Sequence, residues 1–410
     1  MRPLFHPVLA AALALALPAW AETARLDEQT AIAAAQARDD LRNATEGAVD
    51  AARAEEDEAG LWPNPTFEYE RDRTKGAGGA TVQDTYRLSQ PVDVSGRRGL
   101  RQDAAGRRLD ASRAETRQRY REAGGEARKL FHTVLMRQQA KEAAARWATR
   151  LGEAETVLAK LRTGREVSGY DVRRLTRERV AAEAKVRALN ADLAEAWERL
   201  RALMNWPAGT AMPRIEGALL PPPPLGLDDL MSRMEDRPDL QVLRAKVAAS
   251  DLDRRAADRG WVPDLTLGAG LKQVDQPERS DQGVLLTISA PLPLFDRGQA
   301  ASRKAAAQSR ATAADMALAR AKAEGEIRGL WRRTAELRET ALKFRESSLP
   351  ASRDLSRIAE GAYRAGEMNV LELLDAHKSL LEAETTAIEL EFGAREAHTE
   401  LTLATGETSQ

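Results

Sequence analysis

The chain has 410 residues, of which 43% are hydrophobic, 4% aromatic and 30% charged, with a formal net charge of −1. So charged and aromatic-poor a composition fits long helices better than one thick globular core. The absence of Cys excludes a disulfide framework, Cys-based zinc sites, a cysteine nucleophile and a lipidated N-terminal Cys, and with no basic excess nucleic acid is not an expected partner.

Residues 1–21 read as a secretory signal peptide. Arg2 lies in a short n-region, Val8 to Leu17 is apolar, and Ala19-Trp20-Ala21 is an A-x-A cleavage site, so the mature chain is expected to begin at Glu22. That apolar run is about half of the ~20 residues a membrane-spanning helix needs. No later segment reaches that length without charge. An exported chain of this kind can enter a membrane only through strands.

The rest of the chain is one unit written twice. Pro65 in Trp62-Pro63-Asn64-Pro65 recurs as Pro263 in Trp261-Val262-Pro263, an offset of 198 residues. Ser89-Gln90-Pro91-Val92 recurs as Ser289-Ala290-Pro291-Leu292, and Gly164 recurs as Gly366, at offsets of 200 and 202. Three landmarks in order at near-constant spacing indicate tandem duplication.

The first repeat spans 22–206. It holds a helical stretch from Leu26 to Leu61, a strand pair at about 64–95, a long helix over 97–161, a tip at 162–167 and a returning helix over 167–203. Residues 207–227 form a linker whose prolines Pro221 to Pro224 read as an extended spacer. The second repeat spans 228–406. A helical stretch from Leu240 to Trp261 precedes a strand pair at about 263–294, a long helix over 299–363, a tip at 364–368, a returning helix over 369–404, and a tail at 407–410. Pro350 is expected to kink the second long helix.

Both strand pairs alternate with period two. Phe67 and Tyr69 alternate with Glu68 and Glu70, and Val82, Tyr86 and Leu88 share a side of the partner strand. Leu265, Leu267, Ala269 and Leu271 share a face, as do Val284, Leu286, Ile288 and Ala290. Gly76 to Gly79 and Gln276 to Gly283 are the expected hairpin loops. Alternation alone suits a soluble half-buried sheet as well as a membrane barrel. The long helices favour something larger than a small domain, because 65 residues from Arg97 to Leu161 would span roughly 100 Å. They need coiled-coil partners within the chain or in other subunits. Four strands cannot close a barrel, for which about eight is the practical minimum, so a lipid-facing sheet would have to be shared between chains.

These residues carry a family resemblance. Leu61-Trp62-Pro63-Asn64-Pro65, the run Ser89-Gln90-Pro91-Val92-Asp93-Val94-Ser95-Gly96-Arg97-Arg98 and the two Gly turns resemble the TolC family of outer membrane factors. The first two are most similar to its heavy-metal-efflux, CzcC-like branch, and the likeness runs along the mature chain twice over. It implies a mainly α protein with a membrane β part: a homotrimer whose twelve strands form one outer-membrane β-barrel continuous with a twelve-helix periplasmic α-barrel. Phe67, Tyr69, Leu265, Leu267, Leu286 and Ile288 would then face outer-membrane lipid. The implied partners are a periplasmic adaptor, or membrane fusion protein, and an inner-membrane RND-type pump. The tips would be the adaptor-docking points, mapping to Thr163, Gly164 and Arg165 and to Ala365, Gly366 and Glu367. By the same resemblance Glu372 and Asp375 match a ring of carboxylates at the periplasmic entrance. Asp171 and Tyr363 match a hydrogen-bonded pair that holds it shut. Where the family carries Arg two residues after the second Gly, this chain has Met368.

The residues also allow plainer roles. A Gly at a tip can simply end a helix in the left-handed conformation. Ser168-x-x-Asp171 and Asn369-x-x-Glu372 have capping-box spacing. No enzyme constellation, phosphate loop or His metal spacing is present in the sequence, so neither catalysis nor a cofactor is expected. The expected function is a passive outer-membrane exit duct of a tripartite efflux system, with heavy-metal cations as first substrate class. The alternatives are a multidrug or type I protein-secretion duct, or a soluble periplasmic coiled-coil adaptor.

Overall fold

In the computed structural model residues 25–76, 79–162 and 168–406 are described. The signal-peptide region, the first tip with Thr163, Gly164 and Arg165, and the tail lie outside them. In chain order the elements are β1 (Arg25–Leu26), α1 (Glu28–Gln36), α2 (Asp39–Gly60), β2 (Thr66–Gly76), β3 (Gly79–Val92), α3 (Arg97–Arg162) and α4 (Gly169–Leu203). There follow β4 (Arg214–Ile215), α5 (Leu227–Arg233), α6 (Pro238–Asp258), β5 (Leu265–Gln276), β6 (Arg279–Ser289), α7 (Gln299–Lys343), α8 (Leu349–Ala365) and α9 (Val370–Ala404).

The helix α3 is continuous over 66 residues, about 100 Å at 1.5 Å per residue. Its counterpart in the second repeat is not. Five residues of π-helix, Phe344–Ser348, separate α7 from α8. The interruption lies just ahead of Pro350, which occupies the first turn of α8. The backbone stays right-handed helical through Ser348 and Leu349, and the wide π turn is where the chain accommodates the proline ring and its missing N–H. The first helical stretch likewise breaks: Asp27 caps α1 by accepting from the Thr30 amide at 2.8 Å, α1 stops at Gln36, and extended Arg38 starts α2.

Three large apolar cores among the described residues hold the helices, with smaller clusters beside them. In the middle of the molecule Phe131, Val134 and Leu135 of α3 pack on Trp197 and Leu200 of α4 with Leu26, Ile215 and Leu219. A second core joins Leu230 and Leu240 to Ile327 and Leu401. The third lies at the tip end, where Leu151 and Leu158 of α3, Leu175 of α4, Tyr363 of α8 and Leu373 of α9 come together.

The linker between the repeats is strapped down. Its β4 pairs in parallel with β1. Arg395 donates to the carbonyls of Ala218, Leu219 and Leu220 at 2.7–3.0 Å. Arg338 reaches the Pro221 carbonyl at 3.0 Å, and the Trp331 indole reaches that of Leu225 at 3.0 Å. Proline-rich backbone keeps its carbonyls as acceptors, and helix side chains satisfy them here.

Both strand pairs join one antiparallel sheet in the order β2-β3-β5-β6. The link between repeats is the β3–β5 ladder, with Gln90 opposite Leu267 and Tyr86 opposite Leu271. The hairpin expected over Gln276 to Gly283 is shorter than its sequence suggests. The strands run on to a turn at Pro277 and Glu278, and Gly283 pairs with Lys272 inside the ladder. Polar side chains do not stop strand pairing, because the ladder is made by backbone groups.

Candidate membrane face and periplasmic entrance

The register places the apolar residues of all four strands in rows on one face. Phe67, Leu88, Ala269 and Leu286 form one row, and Tyr69, Tyr86, Leu271 and Val284 the next. Leu267 stands opposite Ile288, and Leu265 opposite Val92, in the rows nearer the helices. This face is bare: Val284, Leu286 and Ile288 are 77%, 78% and 76% exposed, and Phe67 is 66% exposed. A soluble chain rarely leaves so continuous an apolar surface open. The opposite face is polar, with Glu68 paired to Arg87, and Lys272 and Asp281 on the same side.

The apolar rows end sharply toward the hairpins. Arg71 makes a two-pronged contact with Asp84 at 2.7 and 2.8 Å, and the Tyr69 hydroxyl donates to the same carboxylate at 2.9 Å. Toward the helices the apolar surface continues past the strands. Leu292, Leu294 and Phe295 follow β6 and are 77%, 66% and 93% exposed, while Trp62 and Trp261 are half exposed or more at the same end. The Arg98 guanidinium lies 4.1 Å over the Trp62 ring. Arg97 pairs with Asp264 at 2.9 Å. From Leu265 to Leu271 the apolar rows cover about 20 Å along a strand. Tilted, that falls short of the ~25 Å apolar band of outer-membrane barrels, and the Leu292 to Phe295 segment extends it.

At the far end of the helices stands the second tip. Gly366 has φ 79°, a left-handed conformation that Gly adopts without a Cβ clash. The Gly366 amide donates to the Tyr363 carbonyl at 3.2 Å and the Glu367 amide to that of Ala362 at 2.9 Å, the two bonds of a Schellman C-cap. Ala365, Gly366 and Glu367 therefore form the reversal between α8 and α9. Asn369 then opens α9 with a full capping box: its side chain accepts from the Glu372 amide at 3.0 Å, and Glu372 accepts from the Asn369 amide at 3.1 Å. The first repeat differs, since Ser168 accepts from the Tyr170 amide at 3.2 Å rather than from Asp171.

Glu372 and Asp375 are both exposed, three residues apart on the open face of α9. Leu373, Leu374, His377 and Leu380 take the buried face. Asp171 and Tyr363 belong to helices that meet in the tip-end core, but no hydrogen bond joins them within the chain. The Tyr363 hydroxyl is buried without a partner among the described residues. Burial raises the Tyr363 pKa, and the nearby charge of Asp171 raises it further. Met368 packs against the same core.

A polar seam beneath this core is not visible in the sequence. Ser356 Oγ lies 3.1 Å from Nδ1 of His377, which is 2% exposed. Glu360 stands 3.8 Å from the same nitrogen and pairs with Arg150 at 4.0 Å. A cavity between these residues is lined also by Glu153, Tyr363 and Leu373. Burial, aided by the Arg150 charge, pushes the His377 pKa down to about 4. The spacing of Ser356 and Glu360 on one helix and His377 on another carries no linear motif. Among the described residues no group of three or more His, Cys, Asp or Glu could hold a metal ion, and no helix is long and apolar enough to cross a membrane.

Residues 232–407 match the model of the outer membrane efflux protein family. The chain is 28% identical over 272 residues to the nickel-cobalt-cadmium resistance protein NccC of Alcaligenes xylosoxydans xylosoxydans, covering 64% of this chain and 61% of that protein. It is 25% identical over 350 residues to the cobalt-zinc-cadmium resistance protein CzcC of Cupriavidus metallidurans, covering 83% of this chain and 79% of that one. The fold resembles that of the outer-membrane channel OprN, with a TM-score of 0.75 and 21% identity over 92% of this chain and 89% of the channel. The second repeat thus matches the outer membrane efflux protein family, and the chain as a whole is similar to two heavy-metal-resistance proteins and has the fold of outer-membrane channels.

Proposed function

We propose that the chain is the outer-membrane exit duct of a tripartite efflux system, passing heavy-metal cations passively to the exterior. The observation that carries this reading is the open sheet. Its four strands share one bare apolar face, cannot close alone, and stand at one end of helices about 100 Å long. Three copies would supply twelve strands for a barrel in outer-membrane lipid and twelve helical segments for a periplasmic tube. The two tips would meet a periplasmic adaptor fed by an RND-type inner-membrane pump. Glu372 and Asp375, repeated by threefold symmetry, would line a cation-attracting entrance, and Asp171 and Tyr363 would lie at its closing seam. The duct itself would hold no resident metal, since the cation is cargo.

Metal cations rather than organic drugs or proteins are the favoured cargo because both curated relatives carry metal resistance in their names. The soluble-adaptor reading is disfavoured by the joined sheet, whose apolar face would be exposed to water. A strain lacking the gene, challenged with nickel, cobalt, zinc and cadmium and with a panel of organic drugs, tests the reading. Sensitivity to one or more of the metals, restored by the gene, is expected. Sensitivity confined to organic drugs would move the chain to the multidrug class, and loss of a secreted protein alone would make it a secretion duct.

A further inference from the structure

Beyond the row of Arg71 and Asp84, β2 carries two more cations on the apolar side of the sheet. Arg73 and Lys75 share the face of Phe67 and Tyr69, because side chains two apart along a strand point the same way. Arg73 stands opposite Val82 and Lys75 opposite Ala80. Every residue of β2 is exposed. Neither Arg73 nor Lys75 has an ion pair or a side-chain hydrogen bond among the described residues.

The carboxylates at this level on the same face are already engaged. Asp84 is held by Arg71 and Tyr69. Asp275 accepts from Ser280 at 2.5 Å and from Gln273 at 3.2 Å. In a shared barrel the edge of β2 would meet β6 of a neighbouring copy. On this face β6 offers Gln282 and Ser280, which are neutral. A neighbour would therefore not neutralise the pair.

Their height fixes what could. Arg73 lies four residues past Tyr69, about 13 Å along the strand, on the hairpin side of the apolar rows and away from the helices. If the proposed function is right, on which this inference rests, the hairpins face the exterior. Arg73 and Lys75 then sit at the polar boundary of the outer leaflet. We propose that Arg73 and Lys75 form a binding site for the phosphate groups of a phosphorylated glycolipid of that leaflet. Two free cations one row apart suit a phosphate held beside an apolar wall, and the stacked rings of Tyr69 and Tyr86, 5.0 Å apart, supply the top of that wall for the acyl chains.

The test uses the full chain as a purified trimer, inserted into phosphatidylcholine vesicles. One set contains bisphosphorylated lipid A, a second its dephosphorylated form, and a third phosphatidylglycerol at equal negative charge. Glycolipid retained per chain is read by mass spectrometry, together with the heat-dissociation midpoint of the trimer. Retention and a raised midpoint are expected with the bisphosphorylated lipid alone. The variant R73Q/K75Q should bind it roughly thirty-fold more weakly, from ~1 kcal/mol for each cation near an anionic surface. K75Q alone should lose part of this, and K272Q, on the opposite face, none. Equal retention by wild type and R73Q/K75Q would show the cations to be guards of an edge strand only. An effect reproduced by phosphatidylglycerol would overturn the glycolipid site. Failure of the wild type to enter any vesicle would sink the membrane reading itself, whereas insertion without a phosphate effect would sink the site alone.

Discussion

Ser356 and His377 meet across the α8–α9 seam, 3.1 Å apart and both 2% exposed. The imidazole is surrounded by Arg150 and Glu153 of α3 and by Glu360 of α8. Burial holds its pKa at about 4, against about 6.5 in an unfolded chain. The unfolded state therefore binds more protons between these values, and seam stability falls as pH drops from about 6.5 through 4. The full loss is about 3 kcal/mol. Hydrogen exchange of α8 and α9 between pH 7 and pH 4 should show this opening in wild type and not in His377→Gln. A pH-independent wild type would place the imidazole outside the buried seam.

The joined sheet bears on assembly. Both edges, β2 and β6, are unpaired in one chain, and the unsatisfied backbone N–H and C=O groups of an open edge do not persist in lipid. Detergent-solubilised protein should run as a heat-modifiable trimer by gel and by light scattering. A monodisperse monomer with full strand content would contradict a shared barrel.

The apolar rows give a local test. Leu267 and Leu286 lie on the bare face in adjacent strands. Leu267→Arg or Leu286→Arg should each cost about 2–4 kcal/mol if the residue lies near the bilayer midplane. Trimer yield in native membranes measures this, and normal yield from both would mean that the face meets protein or water.

These rows were legible in the sequence because a period of two survives any uncertainty in strand ends. Leu265, Leu267, Ala269 and Leu271 declare a face by themselves. The β3–β5 ladder was not legible, because Gln90 and Leu267 are far apart in the chain and no local rule pairs them. Pro350 did announce a disturbance, but its place depended on how the backbone redistributes hydrogen bonds upstream. The Leu349 amide returns to the Phe344 carbonyl, which puts the irregular turn before the proline. His377, two residues after Asp375, carries no local sequence signal for its setting. The two point to opposite faces, and the partners of His377 come from α3 and α8.

Tyr363 allows a prediction of sign. Its hydroxyl is buried without a partner among the described residues, and an unsatisfied buried polar group costs about 1–3 kcal/mol. If the chain keeps this arrangement in the trimer, Tyr363→Phe should raise the heat-dissociation midpoint by an amount equivalent to about 1 kcal/mol. If Asp171 of the same chain or a neighbour accepts that hydrogen bond in a closed entrance, the variant should instead be less stable and conduct more at rest. Calorimetry and single-channel recording on one preparation decide between the two.

The entrance carboxylates need a variant that separates charge from helix capping. Glu372 does two jobs in principle, since its side chain closes the capping box on the Asn369 amide while its charge faces out beside Asp375. Gln is the one replacement that keeps an acceptor at this position of the box. Glu372→Gln with Asp375→Asn should therefore leave stability within about 0.5 kcal/mol, while Glu372→Ala should lose about 1 kcal/mol of cap. Around a threefold axis the double variant would remove six negative charges from one opening. Cation selectivity should then fall, and block by multivalent cations added from the periplasmic side should weaken, both more strongly at low salt because exposed charges are screened within about 10 Å at 0.1 M. Selectivity that stays unchanged in the Gln/Asn variant, with the cap intact, would make Glu372 a helix cap and Asp375 a solvated charge, and would place the narrow point of the duct elsewhere.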